Sequence, residues 1–312
     1  MHKKFLIFAV AVWLCACAQP PHKPIPDAIN ASPEPQAEDQ PEQPDSASAP
    51  TSANLPKQEL SENVLYEFLL GEIAGQRGQL TIAAKAYLDI AMATRDPRIA
   101  QRATEVALYA RQPDTAMLAA RIWSETDPDS AQARQTLVAL LVSAHKLDEA
   151  RPHIEKLLAA EGENIGQGFL QLNGLMAKTT DKNAALNLVR ELAKPYSQLP
   201  EAHFALSQAA WNAAKYDEAL SEVRKALELR PDWEPAALFQ GQMLQRDSNH
   251  LAIDYLRGYL KNHLKAKDVR LSYARLLVAE KNYPEARKQF QHLVADFPKN
   301  AEVSLAVGLL SM

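Results

Sequence analysis

The sequence has 312 residues, 47% of them hydrophobic, and a formal net charge of −4. With no basic run beyond the first few residues, it lacks the clustered Lys and Arg that neutralise phosphates, which excludes nucleic acid as the main partner. Cys15 and Cys17 are the only cysteines, so the rest of the chain holds no disulfide, no thiolate metal site and no catalytic thiol.

The chain opens on a short basic head, His2-Lys3-Lys4, followed by ten apolar residues over 5–14. That run is too short to cross a bilayer as a helix. The layout is that of a secretory signal peptide over residues 1–16. Its end, Leu14-Cys15-Ala16-Cys17, resembles the lipobox of bacterial lipoproteins. Leu14 stands three before Cys17 and the small Ala16 stands just before it. Cys15 fits poorly, because bulky Trp13 and Leu14 precede it. The plainer alternative is an ordinary signal peptide with two incidental cysteines. The residues after Cys17 are Ala18-Gln19, with no Asp, a pattern similar to the outer-membrane sorting signal of Gram-negative lipoproteins. Each buried methylene of an acyl chain adds about 0.8 kcal/mol of membrane affinity. The expectation is a protein lipidated at Cys17, anchored to the outer membrane and facing the periplasm.

Residues 17–58 read as the lipidated cysteine and a disordered tether. The stretch 19–50 is dense in Pro, Ala, Ser, Gln, Asp and Glu, with Ile25 and Ile29 its only branched apolar residues. Too little apolar surface is present to offset the entropy of ordering. A tether of about 40 residues reaches roughly 120 Å at about 3.1 Å per residue.

After the tether, Ala and Leu dominate and favour helix. Seven alanines recur: Ala83, Ala116, Ala150, Ala185, Ala219, Ala252 and Ala286, at gaps of 33, 34, 35, 34, 33 and 34 residues. A period near 34 is that of tetratricopeptide repeats, each a pair of helices A and B. The predicted fold class is all-α, a right-handed superhelical solenoid of such pairs over 59–312. The first repeat carries Leu70-Gly71, Gly78, Ala83 and Tyr87; the second is looser, with Ala116, Trp123 and Asp127-Pro128; the third has Leu147-Asp148-Glu149-Ala150. Gly162, Gly166, Gly168 and Gly174 crowd the fourth, which is expected to be bent or loosely packed. The fifth is the clearest. Tyr216 is placed at the turn, Asp217 and Glu218 in the dipole-favoured first turn of helix B, and Pro231 at the end of the pair. The sixth keeps Gly241 and Ala252 without a closing Pro, and the seventh has Tyr283-Pro284-Glu285-Ala286. Residues 301–312 read as the first helix of an eighth repeat with an uncapped apolar face. Repeat arrays need a polar cap, so the expectation is a chain cut from a longer protein, the alternative being another chain that covers this end.

No enzyme constellation is present: no phosphate loop, no G-x-S-x-G, no H-E-x-x-H. His145, His153, His203, His250, His263 and His292 are scattered over different repeats. The predicted catalytic residues, metal ligands and cofactors are therefore none. Function is expected on the surface lined by the A helices, which forms a concave groove in this repeat class. Aligned on the alanines, the candidate residues are Phe68 and Glu72 in the first repeat, and Arg98, Gln101, Arg102, Glu105 and Tyr109 in the second. Gln132, Gln135 and Ala139 follow in the third, then Phe204, Gln208 and Trp211 in the fifth. Leu238, Gln242, Arg246, Leu271 and Arg275 complete the set. Aromatic and Arg residues among glutamines suit a peptide or protein partner. Each also has a structural reading: Phe68 and Phe204 as inter-helix core, Trp211 as half-buried packing, the Arg and Glu residues as solvated helix pairs.

Leu65-Tyr66-Glu67, Ala74-Gly75-Gln76-Arg77-Gly78, Thr94-Arg95-Asp96-Pro97 and Ala100-Gln101-Arg102-Ala103 resemble the start of a family of proteobacterial tetratricopeptide lipoproteins. One type, in pseudomonads, is the binding partner of the periplasmic carboxyl-terminal processing protease. The resemblance implies a longer protein and an adaptor that holds a processing protease near substrates such as cell-wall hydrolases. Raised effective concentration, without catalysis by the scaffold, is the physical logic of such an adaptor. The alternative is an assembly factor for secretion, pilus, outer-membrane protein or exopolysaccharide machinery.

Overall fold

The computed structural model describes residues 60–177, 179–296 and Gly308. The expected signal peptide, Cys17, the tether up to residue 58 and all but one residue of the expected eighth-repeat helix lie outside them. Among the described residues the secondary structure is helical throughout. The first two pairs are α1 (Glu62–Gln76) with α2 (Leu80–Thr94) and α3 (Pro97–Tyr109) with α4 (Pro113–Thr126). Then come α5 (Ala131–Ser143) with α6 (Leu147–Ala160), α7 (Ile165–Met176) with α8 (Lys182–Ala193), and α9 (Pro200–Asn212) with α10 (Tyr216–Leu229). The last are α11 (Glu234–Asp247) with α12 (Asn249–Asn262) and α13 (Lys267–Ala279) with α14 (Tyr283–Asp296).

The recurrent alanine holds one structural place. Ala83, Ala116, Ala150, Ala185, Ala219, Ala252 and Ala286 are each the fourth residue of helix B. Each donates the first helical hydrogen bond back to the residue before the helix, at 2.9–3.3 Å. All are buried, six of them at 0% exposure. A side chain longer than a methyl group would separate helix B from helix A at this crossing.

The turn inside each pair follows a second rule. Gly78, Arg111, His145, Ala214 and Lys281 have φ between +57° and +71°, and each stands two residues before its helix B. The next N–H reaches back five residues, as in Gln79 to Ala74, Lys146 to Leu141 and Lys215 to Ala210, each at 2.8 Å. This is the Schellman closure of helix A, which favours glycine at the left-handed residue. Only the first repeat supplies one. Ala214→Gly is expected to stabilise the chain by about 0.5–1 kcal/mol, the left-handed penalty of roughly 1–2 kcal/mol offset in part by glycine's entropy. A urea midpoint that fails to rise would remove the strain assignment.

Charged residues tie successive B helices together. Arg121 of α4 pairs with Glu149 of α6, and Arg190 of α8 pairs with Glu218 of α10. In both, the Arg is five residues after one recurrent alanine and the Glu one residue before the next. The first-turn carboxylates therefore serve the helix dipole and the neighbouring repeat together.

The fourth repeat departs from the pattern, in a different way from the sequence expectation. α7 scarcely touches α8 and packs on α9 instead. Two of its glycines are sites of close approach. A Cβ on Gly168 would lie 2.9 Å from the Leu158 side chain, and one on Gly166 would lie 2.8 Å from the Glu201 carboxyl carbon. Gly162 takes φ +53° after α6, and Gly174 faces open space. In the sixth repeat α11 and α12 are joined by Ser248 alone, whose hydroxyl caps α12 by accepting from the His250 N–H.

Candidate protein-binding grooves

Two grooves run between successive A helices with helix B as their floor. The first lies between α1 and α3 and has a volume of about 540 Å³. Glu72 of α1 and Arg102, Glu105 and Tyr109 of α3 line it, with Gly71, Gly75, Gln76, Leu80, Ala83, Tyr87 and Val106. Four of the residues named from sequence are thus brought together. The second, of about 240 Å³, lies between α5 and α7 and takes Gln135 and Ala139 on one wall, Gln171 and Leu175 on the other, and Leu157 on its floor.

Tyr87 organises the first groove, and its role was not assigned from the sequence. Its ring is buried and its hydroxyl donates to the Glu72 carboxylate. Gly71 makes room for it, since a Cβ there would stand 3.2 Å from the ring. The Arg102 guanidinium sits 5.7 Å from the ring centroid. Burial, and then the Glu72 hydrogen bond, push the Tyr87 hydroxyl above its ordinary value, so it stays a neutral donor at physiological pH. The sequence signal was a bulky aromatic one turn after the recurrent alanine, opposite a helix glycine.

The neighbouring charges are local. Arg98 forks onto the α3 cap residue Asp96 at 2.6 and 3.1 Å, and its guanidinium holds the Asp96 carboxyl below the usual carboxylate range. Gln101 donates to Glu105 at 3.0 Å. Arg98 thus pairs with Asp96 and Glu105 with Gln101. Phe68 is partly exposed on α1, and Gln132 is exposed on α5 outside the second groove.

Further along, the arrangement is packed. Phe204 is buried, 4.8 Å from Trp233 and 5.6 Å from Phe239 between ring centroids. It is core, and its assignment to the groove is corrected: side chains from the following repeat cover it. Gln208 is half-buried with a buried Oε1. Trp211 is half-buried, edge-on to Tyr216 at 5.0 Å. The Arg246 guanidinium lies 3.7 Å from the Tyr216 centroid and 5.9 Å from that of Trp211. Trp211, Tyr216 and Arg246 form a partly exposed cation–π stack at the helix-turn edge, a contact worth about 0.5–1 kcal/mol at such sites. Leu238 and Leu271 are partly buried, while Gln242 and Arg275 are exposed.

Helix pairs stacked at a period of about 34 residues, with grooves between successive A helices, define a helical-repeat protein of the kind that binds other proteins. The repeat itself is identified at α9 and α10, where residues 200–233 match the family described as Tetratricopeptide repeat. The chain is homologous to a TPR repeat-containing protein of Pseudomonas aeruginosa, 28% identical over 214 residues. That match spans 69% of this chain and 36% of the relative, about a third of its length. Among solved structures, the chain is similar to the C-terminal part of a TPR repeat-containing protein from Cytophaga hutchinsonii, at 16% identity and TM-score 0.41. That alignment covers 77% of this chain and 97% of the other. It is also similar to a TPR protein of Thermus thermophilus, at 14% identity and TM-score 0.34, over 69% of this chain and 98% of the other.

Proposed function

We propose that this chain is a non-catalytic periplasmic scaffold, anchored to the outer membrane through a lipid on Cys17, that binds partner proteins through the α1–α3 groove. The observation that carries the reading is the convergence of Glu72, Arg102, Glu105 and Tyr109 around the buried Tyr87. The floor is fixed, and the rim presents both charge signs beside an exposed aromatic. Tyr and Arg in such a setting commonly dominate binding energy. The partner we favour is a processing protease together with substrates such as cell-wall hydrolases. It rests on the sequence resemblance, and homology to the Pseudomonas protein supports the repeat class. An envelope assembly factor is the second reading, supported by the same surface.

Affinity capture from detergent-solubilised membranes separates them. Wild-type chain should recover a processing protease or murein hydrolase, and Tyr109→Ala with Arg102→Glu should reduce recovery about tenfold or more, a loss of roughly 1.4 kcal/mol or greater. Recovery of secretion or pilus components alone favours the second reading. Recovery indifferent to both substitutions would remove the groove as the binding surface. Cys17→Ser should abolish acyl labelling and release the chain from membranes.

A further inference from the structure

We propose that the outer face of α1 is a self-association surface, on which a second copy of this chain packs its own α1 antiparallel. α1 is apolar on nearly every side. Its inner side packs on α2 through Gly71 and Ala74. Its outer side carries Leu65, Tyr66, Leu69 and Ile73, which are 43%, 64%, 49% and 47% exposed.

Positions 66 and 73 are mostly covered in other repeats, whereas 65 and 69 match mainly uncovered polar residues there, such as Arg98, Gln132 and Asp268 for Leu65 and Arg102 and Gln171 for Leu69. Counted back from the recurrent alanine, Tyr66 corresponds to the buried Ala133, Gly168, Ala202 and Val269, the half-buried Ile99 and the exposed Pro235, and Ile73 to the buried Leu140, Ala209 and Leu276, the half-buried Val106 and Leu175 and the exposed Gln242. Ala133 shares one core with Ile122 and Trp123 of the preceding helix B. The side of α1 with Tyr66 and Ile73 is thus the stacking face of a helix A with no preceding helix B over it among the described residues, and Leu65 and Leu69 extend it with apolar side chains where other repeats carry mostly polar ones. A terminal repeat that only met water would carry polar residues there. Tyr66 is also larger than every residue at the matching positions, three of which are the small Ala133, Gly168 and Ala202, so a different packing is indicated.

The charges at the two ends of this face select the occupant. The stripe starts at Glu62 in the first turn of α1 and ends at Arg77, which caps the helix. An antiparallel copy centred on Leu69 brings Leu65 against the second copy's Ile73 and each Glu62 toward the other copy's Gln76 and Arg77. Leu65, Tyr66, Leu69 and Ile73, flanked by the polar Glu62 and Gln76, follow a spacing close to a heptad, which suits a shallow crossing near 20°. This two-fold arrangement is self-complementary, as an isologous contact must be. Processing at Cys17, on which this point rests with the proposed function, removes the apolar run 5–14, and residues 18–58 are then a poor cover, offering only Ile25, Ile29 and Leu55 as large apolar side chains. A lipid surface is disfavoured by the acidic Glu62 on the stripe, where anionic headgroups call for basic clusters.

The test is the mass of the full chain in detergent by sedimentation velocity, from low to high micromolar. A concentration-dependent dimer is expected. Leu69→Asp, which sets two carboxylates at the two-fold axis, should weaken it by about tenfold or more without changing the helical circular dichroism. Glu62→Arg alone should weaken it, and Glu62→Arg with Arg77→Glu should restore it. In a Cys15→Ser, Cys17→Ser background, Leu69→Cys should cross-link to itself on oxidation, since only residues near the axis meet the Cα spacing of a disulfide, whereas Ala93→Cys on α2 should not. A monomer at every concentration overturns the proposal. So does a dimer that survives Leu69→Asp and gives no cross-link at that position. Binding to lipid vesicles by a monomer, lost in Leu69→Asp, would assign the face to the membrane and overturn it as well.

Discussion

Ala219→Leu is expected to destabilise the fifth repeat by about 3 kcal/mol, at the upper end of the usual cost of overpacking a core. Ala219 is fully buried, at the fourth position of α10. Its carbonyl accepts a hydrogen bond from the buried Ser207 hydroxyl of α9 at 2.7 Å. Three added carbons have no void to enter, so α9 and α10 must separate, and the Ser207 bond is strained or lost. In a stacked array each repeat is held mainly by its neighbours. The loss should therefore appear as an earlier unfolding step of the middle repeats in urea, followed by circular dichroism, with the flanking repeats unfolding later. Ala159→Leu, at an exposed position on α6, is the control and should change stability by less than about 0.5 kcal/mol. If Ala219→Leu matches that control, the recurrent alanine is not a packing constraint.

The alanine period was legible because one physical cause repeats at one place. The crossing of helix B over helix A admits only a methyl group, so the same residue type recurs wherever the crossing does. The A–B turns were less legible for the opposite reason. Their left-handed residue is Gly78 in the first repeat but Arg111, His145, Ala214 and Lys281 elsewhere. The Schellman hydrogen bonds over-determine the conformation, so residue type there is left free to vary. The glycines of the fourth repeat were visible and their meaning was not. A glycine that admits a neighbour and a glycine that loosens a helix look alike in sequence.

Within the grooves, helix-A register alone was an incomplete guide. Phe68, Gln101, Gln135 and Phe204 all stand fifteen residues before a recurrent alanine. The first is partly exposed, and Gln135 lines a groove, but Phe204 is core. The difference comes from outside its own helix: Trp233, just before α11, and Phe239 of α11 reach over it. Register fixes which face a residue shares, while coverage depends on how large the neighbouring repeat's side chains are. Tyr87 shows the converse. It belongs to helix B, so helix-A register could not select it, yet with Gly71 and Glu72 it sets the floor of the first groove.

Gly166→Ala is expected to destabilise the chain by about 1–2 kcal/mol, although alanine is the better helix former by up to about 1 kcal/mol. The added methyl would lie 2.8 Å from the Glu201 carboxyl carbon and 3.1 Å from both its oxygens. Glu201 has little freedom to yield. It is buried, and its Oε1 accepts from Arg230, whose guanidinium in turn stacks 4.7 Å from the Trp233 centroid. Its Oε2 is buried with no protein partner among the described residues. Displacing the carboxylate would weaken the Arg230 pair and leave a poorly compensated buried charge, which typically costs several kcal/mol. Arg230 is 40% exposed along its side chain, and solvent screening reduces that cost. The test is a double-mutant cycle read from urea midpoints. In the Glu201→Ala background the obstacle is gone, so Gly166→Ala should turn neutral or stabilising by up to about 1 kcal/mol. That reversal of sign is the signature of a glycine kept for close approach between repeats four and five. The same penalty in both backgrounds would instead place the cost in the α7 backbone and remove the Glu201 carboxylate as the reason position 166 excludes a side chain.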